Sequence, residues 1–149
     1  TAAGSITGLY TVLVEGDDFN EPVADAVRSI LDGHIVLTRE LADQGHYPSI
    51  DVLKSVSRLA SDVAPAAVVA AGRDLVRMMA TFQRVEDMVN IGAYAPGSNA
   101  EIDHALSMVH PIRSYLQQNI DERSNLDQAF DALHALTGGN LPKSVKPRT

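Results

Sequence analysis

An apolar stretch near the start of the chain, Leu9 to Val14, constrains the fold more than any other feature. Its six uncharged residues, LYTVLV, predict a β-strand that is buried on both faces, which is typical of a parallel sheet. An acidic loop from Glu15 to Asp18 follows directly. Such a strand needs neighbouring strands and covering helices, so the chain must either contain them or depend on sheet supplied from elsewhere.

The residues that follow predict one helix and one more strand. Pro22 precedes an apparent helix from Val23 to Leu31, where a proline in the first turn loses no hydrogen bond. Ile35 to Thr38, after the turn residues Asp32 and Gly33, predicts the second strand. Strand, helix and strand within about thirty residues is typical of a parallel crossover unit.

The remainder of the chain indicates no further strand. Two strands and one helix cannot cover a parallel sheet, and an isolated strand pair is marginally stable in water. We therefore expect the missing strands to lie upstream of Thr1, in a longer protein. The absence of an initiating methionine favours the same interpretation, although processing also removes methionine.

From Ser61 onward the pattern is helical. Apolar residues spaced three and four apart predict a long helix from about Pro65 to Gly92. A capping-box pattern at Ser98 and Glu101 predicts the start of a second helix, which Pro111 should kink. A third helix is expected from about Ser124 to Leu136, before two glycines. The sequence thus predicts part of a sheet followed by a three-helix module.

Composition and charge exclude several functional classes. The 149 residues are 45% hydrophobic and 21% charged, which is typical of a globular protein, and no apolar run is long enough to span a bilayer. The net charge of -7 repels a phosphate backbone, so nucleic acid is not an expected partner. Without cysteine there are no disulfides or thiolate metal sites, which is compatible with a reducing cytoplasm.

Short motifs for chemistry are absent from the sequence. It contains no GxxxxGK[ST] phosphate loop, no GxSxG elbow and no HExxH zinc motif. The histidines show no metal-ligand spacing, so no metal site is expected and surface or helix-end positions explain them. These histidines are His34, His46, His104, His110 and His134.

Three groups of residues are candidates on chemistry alone, and each also has a structural explanation. Asp17, Asp18 and Glu21 follow a predicted strand, where functional side chains often lie in α/β folds, but a solvated acidic turn is the better explanation. Arg58 at the end of SVSR is compatible with an ordinary surface ion pair. Tyr47 in GHYP is compatible with a turn aromatic that packs on its neighbour.

A family resemblance extends this interpretation. Residues 4–58, GSITGLYTVLVEGDDFNEPVADAVRSILDGHIVLTRELADQGHYPSIDVLKSVSR, closely resemble the hexameric ATPase of flagellar type III protein export. The family includes injectisome ATPases and the subunits of rotary ATP synthases. The similarity continues through VEDMVNIGAYAPGSNAEID at 85–103 and IRSYLQQNIDERS at 112–124. The stretches ILDGHIVLTREL and GHYPSIDVLKSVSR carry it most specifically.

The resemblance implies the C-terminal third of such an ATPase. The fold class is then an α/β fragment plus an all-α part, with residues 1–60 completing a RecA-like parallel-sheet core and 61–140 forming a helical C-terminal domain. Residues 141–149 are expected to be a loose tail. The phosphate loop, the catalytic glutamate and the magnesium-binding aspartate of the family would all lie upstream of GSIT.

Four residues are implied to bind or act on nucleotide. Arg58 matches the family's arginine finger, which reaches the γ-phosphate in a neighbouring subunit, and a guanidinium suits that role because it is permanently charged and forked. Tyr47 matches an aromatic that stacks on adenine. Leu126 aligns with a second adenine-facing position, although an aliphatic residue there favours core packing. Ser29 matches a serine near the phosphates, with an ordinary helix-end hydroxyl as the alternative.

The resemblance also implies partners. Asp17, Asp18, Asn20 and Glu21 match the loop that faces the central pore and touches the stalk protein, where a ring of six acidic loops would attract a basic coiled coil. The helical module would dock chaperones with their export cargo. A hexameric, cytoplasmic protein peripheral to the membrane export gate is expected.

The implied function is ATP hydrolysis, with magnesium, that energises flagellar protein export. The fragment alone is expected to be inactive because it lacks the phosphate loop. One alternative is an injectisome ATPase, and another is a non-enzymatic module that binds a chaperone or stalk protein. A rotary synthase subunit is disfavoured by GAYAPGSNAEID and by the lack of a DELSEED-type acidic stretch.

Overall fold

The computed structural model describes residues 4, 6–14 and 21–138. The chain divides between Leu31 and Asp32 into two compact units. In the first unit, residues 6–14 form no regular secondary structure, and Leu9 and Leu13 are 96% and 93% exposed. The predicted strand from Leu9 to Val14 is therefore not formed, because a strand exists only through hydrogen bonds to a neighbour and the described part of this unit contains no other strand.

The predicted first helix is confirmed as α1, Pro22–Ile30. Pro22 lies in the first turn, where its missing N–H has no intrahelical partner to lose. In the same helix, an Arg28 guanidinium nitrogen lies 3.3 Å from a carboxylate oxygen of Asp25. This pair is one turn apart along the helix and contributes at most a few tenths of a kcal/mol.

The sheet lies in the second unit and consists of two antiparallel strands, β1, Gly33–Leu37, and β2, Ile50–Ser57. The strand predicted at Ile35 to Thr38 is confirmed as β1. The prediction that it belongs to a parallel crossover is wrong for the described residues, because its partner is β2, which the sequence did not indicate as a strand.

An irregularity in the pairing explains why β2 is hard to recognise. The register shifts between His34 and Val36. There the Val36 N–H donates to the Ser55 hydroxyl oxygen at 2.9 Å, and that hydroxyl donates to the Asp51 carbonyl at 2.6 Å. The Asp51 carboxylate accepts from the Leu53 N–H at 3.0 Å. Polar side chains that weaken the strand pattern in sequence thus complete the hydrogen bonding of the strand pair.

Short helices lie at both ends of the strand pair. The helix α2, Arg39–Asp43, begins after Thr38, whose hydroxyl accepts from the Leu41 N–H. The helix α3, Ala60–Val63, follows β2. Neither was predicted, since each is only about one turn long and has no room for a periodic apolar pattern.

Three long helices account for most of the remaining described residues of this unit, as predicted. They are α4, Ala66–Asn90, α5, Ala100–Leu116, and α6, Leu126–Thr137. Their apolar faces meet in a shared core, in which Ile112 is fully buried. The Tyr115 hydroxyl on α5 donates to the Ala129 carbonyl on α6 at 3.2 Å. The buried core residues are Val68, Ala71, Leu75, Met78, Ile112 and Leu133.

The ends of the last two helices differ slightly from the prediction. Asn99, not Ser98, caps α5, and its side-chain oxygen accepts from the N–H groups of Glu101 and Ile102. Asn125 caps α6 in a capping box with Gln128. Gly138 ends α6 with a φ of 67°, the left-handed conformation that glycine adopts without strain.

We expect Gly33→Ala to destabilise the protein. A Cβ at this position would lie 2.6 Å from the Val56 carbonyl oxygen and 3.2 Å from the Ser57 Cα, both of which are backbone atoms of β2. Overpacking of this kind costs about 1–3 kcal/mol of unfolding free energy, which urea denaturation would measure. Gly72→Ala is the control, because a Cβ there meets nothing within 4 Å and alanine should stabilise α4 by about 0.5–1 kcal/mol.

We expect Asn99→Ala to destabilise α5 by about 0.5–2 kcal/mol, because two backbone N–H groups lose their acceptor. The adjacent Ser98→Ala variant should have little effect, because Asn99 supplies the cap. Thermal denaturation of the two variants would separate these positions. An effect of Ser98→Ala larger than that of Asn99→Ala would contradict the assignment.

Candidate functional site

Arg58 directly follows β2, and its side chain is exposed. Its N–H donates to the Asp32 carbonyl at 2.8 Å, which extends the pairing of the two strands by one residue beyond Gly33 and Ser57. The backbone under this guanidinium is therefore fixed by the sheet. A permanently charged, forked side chain that projects from a fixed strand end can bind an anion on another molecule.

Tyr47 lies at the opposite end of β2, in the loop between α2 and β2. Its side chain is 57% exposed. The preceding residue, His46, donates its N–H to the Leu41 carbonyl at 2.9 Å, and the Ile50 N–H donates to the Pro48 carbonyl at 2.8 Å. A constrained loop thus presents an accessible aromatic ring, which suits stacking on a flat ligand.

The pairing of the strands sets how far apart the ends of β2 lie. Its terminal residues, Ile50 and Ser57, pair with Leu37 and Gly33 of β1. Leu37 and Gly33 are four residues apart, so at about 3.3 Å per residue the ends of β2 are roughly 13 Å apart, and the additional residues of β2 lie in the irregular stretch between Asp51 and Val56. Tyr47 precedes this span and Arg58 follows it, so the two residues lie beyond opposite ends of the strand pair.

His46 lies in the loop that carries Tyr47, close enough to the helical module for the charge of Arg113 to act on it. His46 is 6% exposed. Burial, and next the positive charge of Arg113, lower the pKa of His46. Arg113 on α5 also lies over the Phe82 ring of α4, 5.3 Å from its centroid, and 3.7 Å from a Glu86 carboxylate oxygen. The expectation that every histidine lies at the surface or at a helix end is therefore wrong for His46.

A second contact joins this loop to the segment after α5. The Gln118 N–H donates to the Tyr47 carbonyl at 2.9 Å. The Gln118 side-chain nitrogen donates to the Glu122 carbonyl at 3.2 Å and to the Ser124 hydroxyl at 3.1 Å. This segment leads into Leu126, the first residue of α6, which is 65% exposed. Gln118 thus links the loop that carries Tyr47 to the segment that leads into Leu126.

Sequence reasoning did not identify Gln118, Arg113 or His46 as part of this region. Gln118 belongs to the quoted IRSYLQQNIDERS stretch, but neither its residue type nor its spacing indicates a role. Its importance arises from contacts between segments far apart in sequence. The only sequence feature that indicates this region is the GHYP stretch, which contains both His46 and Tyr47.

The other predicted residues lie in the first unit. Ser29 is exposed near the end of α1, and its hydroxyl donates to the Ala26 carbonyl at 2.7 Å, a common bond of helical serines. Glu21 is the residue before α1. Asp17, Asp18 and Asn20 lie outside the described residues.

A cleft of about 560 Å³ lies elsewhere, between α4, α5 and the end of α6. None of the predicted site residues lines it. Its polar lining includes the Asp74 and Arg77 pair, 3.0 Å apart, and Thr81, whose hydroxyl donates to Glu101 at 3.4 Å. These side chains already satisfy one another, so the cleft is a feature of helix packing.

The described residues contain no group of three or more acidic or histidine side chains arranged to hold a metal ion. No helix in the described ranges combines the length and apolarity needed to cross a lipid bilayer.

Comparison with known proteins shows what the two parts of the chain are similar to. Residues 1–57 match the ATP synthase alpha/beta family, nucleotide-binding domain, and residues 64–135 match the T3SS EscN ATPase C-terminal domain. The flagellum-specific ATP synthase of Bacillus subtilis is 47% identical over 135 residues, which are 91% of this chain and 31% of that protein. Over most of its length this chain is therefore similar to the type III secretion ATPases and their flagellar relatives. It spans about a third of the length of the curated relatives it matches.

Solved structures of type III secretion ATPases agree with the fold. The assembled ATPase EscN from enteropathogenic E. coli superposes with a TM-score of 0.85 at 40% identity, over 90% of this chain and 32% of that chain. EscN in complex with its central stalk EscO gives a TM-score of 0.73 at 37% identity, over 78% and 29%. These matches confirm the fold class, part of an ATPase core followed by a helical C-terminal domain.

The environment of His46 predicts a pH-dependent stability. The pKa of His46 is lowered in the folded chain from its usual value of 6.5. As the pH falls, the imidazole is therefore protonated in the unfolded chain before it is protonated in the folded chain. The free energy of unfolding should therefore fall as the pH drops below about 6.5, by at most about 1.4 kcal/mol per pH unit for one proton. Urea denaturation between pH 7 and 5 would measure this slope.

His46→Gln is expected to reduce the slope, because glutamine does not titrate. Stability curves are compared for the variant and the wild type in the same buffers, so that protons bound elsewhere contribute equally to both. A variant with the same fall in stability as the wild type would refute a role for His46.

Proposed function

We propose that this chain is the C-terminal third of a ring-forming ATPase that hydrolyses ATP to energise flagellar type III protein export. The flagellum-specific ATP synthase of Bacillus subtilis, 47% identical, supports the flagellar assignment. The observation that carries the catalytic proposal is the position of two exposed side chains, Tyr47 and Arg58, at opposite ends of β2.

The positions of these residues beyond opposite ends of the strand pair are compatible with a division of labour between two nucleotide sites. We assign Tyr47 and Arg58 to different ATP molecules because an arginine finger of this kind is supplied to the nucleotide of a neighbouring subunit. In a ring, Tyr47 stacks on the adenine bound by its own subunit. Arg58 reaches the γ-phosphate bound by the neighbour, where its guanidinium stabilises the charge that develops as the phosphoryl group is transferred.

Two further residues complete the nucleotide contacts. Leu126, which is 65% exposed, offers an aliphatic surface to the adenine ring. Ser29 lies near the phosphates and can donate its hydroxyl to one of them when it leaves the Ala26 carbonyl. Magnesium accompanies ATP, and its ligands lie upstream of this chain together with the phosphate loop and the catalytic glutamate.

The domain division and the partners follow from the same assignment. Residues 1–60 complete the nucleotide-binding domain, 61–140 form the helical domain and 141–149 a tail, in line with the gap between the two family matches. EscN assembles and binds a central stalk, which supports a hexamer whose stalk contact here is the loop of Asp17, Asp18, Asn20 and Glu21. The ring works in the cytoplasm at the membrane export gate, and its helical domains receive chaperone and cargo.

An injectisome ATPase is the second candidate. The similarity to EscN, at 40% identity over most of the chain, favours it as directly as the flagellar relatives favour the first. Both candidates share the mechanism at Arg58 and differ only in the exported cargo. Complementation of a strain that lacks its flagellar export ATPase would distinguish them, since only a flagellar enzyme should restore motility.

The decisive variant is Arg58→Ala in the full-length protein. We expect assembly and ATP binding to persist, because the side chain is exposed and acts on the neighbour's nucleotide. Turnover should fall by roughly 10³–10⁵. Arg58→Lys should also be strongly impaired, because an ammonium lacks the planar fork. Steady-state ATPase assays on the purified ring would measure both variants.

Arg73→Ala is the matched control, because Arg73 is an exposed arginine on α4 and has no proposed role in the nucleotide sites. Near-normal turnover of Arg58→Ala would remove this residue from the mechanism. The 149-residue fragment serves as a second control and should not hydrolyse ATP. Ordinary turnover by the fragment would overturn the assignment.

A further inference from the structure

Gln118 occupies the point at which two loops of the proposed adenine site meet. Its backbone N–H donates to the Tyr47 carbonyl at 2.9 Å, so it contacts the loop that carries the aromatic ring. Its side chain donates to the Glu122 carbonyl and to the Ser124 hydroxyl, at 3.2 and 3.1 Å. Both side-chain bonds lie within the segment that ends at Leu126.

The segment after α5 depends on Gln118 for part of its order. Residues 117–125 form no helix or strand and are exposed. A second set of bonds links Asn119 and Glu122, whose backbone and side-chain groups are paired at 3.1 and 3.3 Å. Loss of the Gln118 side-chain bonds would therefore loosen one part of the segment, and with it the position of the N–H that holds Tyr47.

The position of Tyr47 matters because stacking is sensitive to ring placement. Its ring is exposed and its location is determined mainly by the backbone beneath it. Two backbone hydrogen bonds constrain this loop near α2 and β2, one from the His46 N–H to the Leu41 carbonyl and one from the Ile50 N–H to the Pro48 carbonyl. The bond from Gln118 adds a constraint from the helical module.

We propose that Gln118 is a positioning residue for adenine, which aligns the Tyr47 loop with the Leu126 segment through its paired backbone and side-chain hydrogen bonds. This inference rests on the proposed contact of Tyr47 with the nucleotide. Gln118 acts through Tyr47 and has no part in the transfer of the phosphoryl group. Its loss should weaken ATP binding and leave the rate of the chemical step largely intact.

The test is a double-mutant cycle in the full-length ATPase with Tyr47→Ala, Gln118→Ala and the combination. We expect Tyr47→Ala to raise the KM for ATP about fivefold or more, since stacking is lost. Gln118→Ala should raise it about threefold to tenfold, with kcat changed less than twofold. In the Tyr47→Ala background, the Gln118 substitution should raise KM clearly less than in the wild type, because only the contact with Leu126 then remains to be displaced.

Two matched variants isolate the hydrogen bonds. Gln118→Glu keeps the size of the side chain but removes its N–H donors, so it should raise KM as Gln118→Ala does, and it remains informative if the alanine variant folds poorly. Gln117→Ala alters the adjacent exposed glutamine and should leave KM unchanged. Circular dichroism and ring assembly would be compared for all variants.

The outcomes separate this inference from the proposed function. A working wild-type ATPase whose Gln118→Ala and Gln118→Glu variants have normal KM would overturn the positioning role alone. Additive effects of Tyr47→Ala and Gln118→Ala would overturn it too, because the two residues would then act independently. A full-length wild-type protein without ATPase activity would overturn the proposed function, and the inference with it.

Discussion

The pairing of β1 with β2 determines where the candidate functional side chains lie. It fixes the ends of one strand, and the exposed Tyr47 and Arg58 are attached to those ends. The Arg58 N–H continues the pairing to Asp32, and the close approach at Gly33 leaves no room for a side chain between the strands. The two proposed contacts with nucleotide are thus held apart by a backbone ladder, which deforms much less than a loop.

The helical module adds a second constraint, from packed side chains. Its core is continuous across three helices, with Ile112 fully buried, and the same helix presents Arg113 to the Tyr47 loop. Gln118 follows immediately and bonds to that loop. The end of α5 therefore connects the packing of the module to the proposed adenine site, so a perturbation of the helices has a physical route to nucleotide affinity.

The sequence predicted the elements that have strong local signals. Apolar periodicity located α4, α5 and α6, and Pro22 located the start of α1. It failed for β2, because Asp51 and Ser55 interrupt the apolar pattern and are explained only by bonds to the other strand and within their own. The strand expected at Leu9 to Val14 is not formed, since its hydrogen-bonding partners are not among the described residues. The family resemblance indicated roles for Tyr47, Arg58 and Leu126. The role of Gln118 could not be predicted from the sequence, because it depends on a hydrogen bond to Tyr47, which is distant in sequence.

The irregular pairing of β2 has a consequence for where the chain can tolerate changes in length. Between Asp51 and Val56 the strand takes five residue steps, whereas β1 takes two between Val36 and His34. A change in length within this stretch of β2 would alter the bulge and could leave the paired ends in place, whereas loss of one residue from β1 would shift the register of every following pair. Insertions and deletions should therefore accumulate in the bulge of β2 and in the flanking loops rather than within β1.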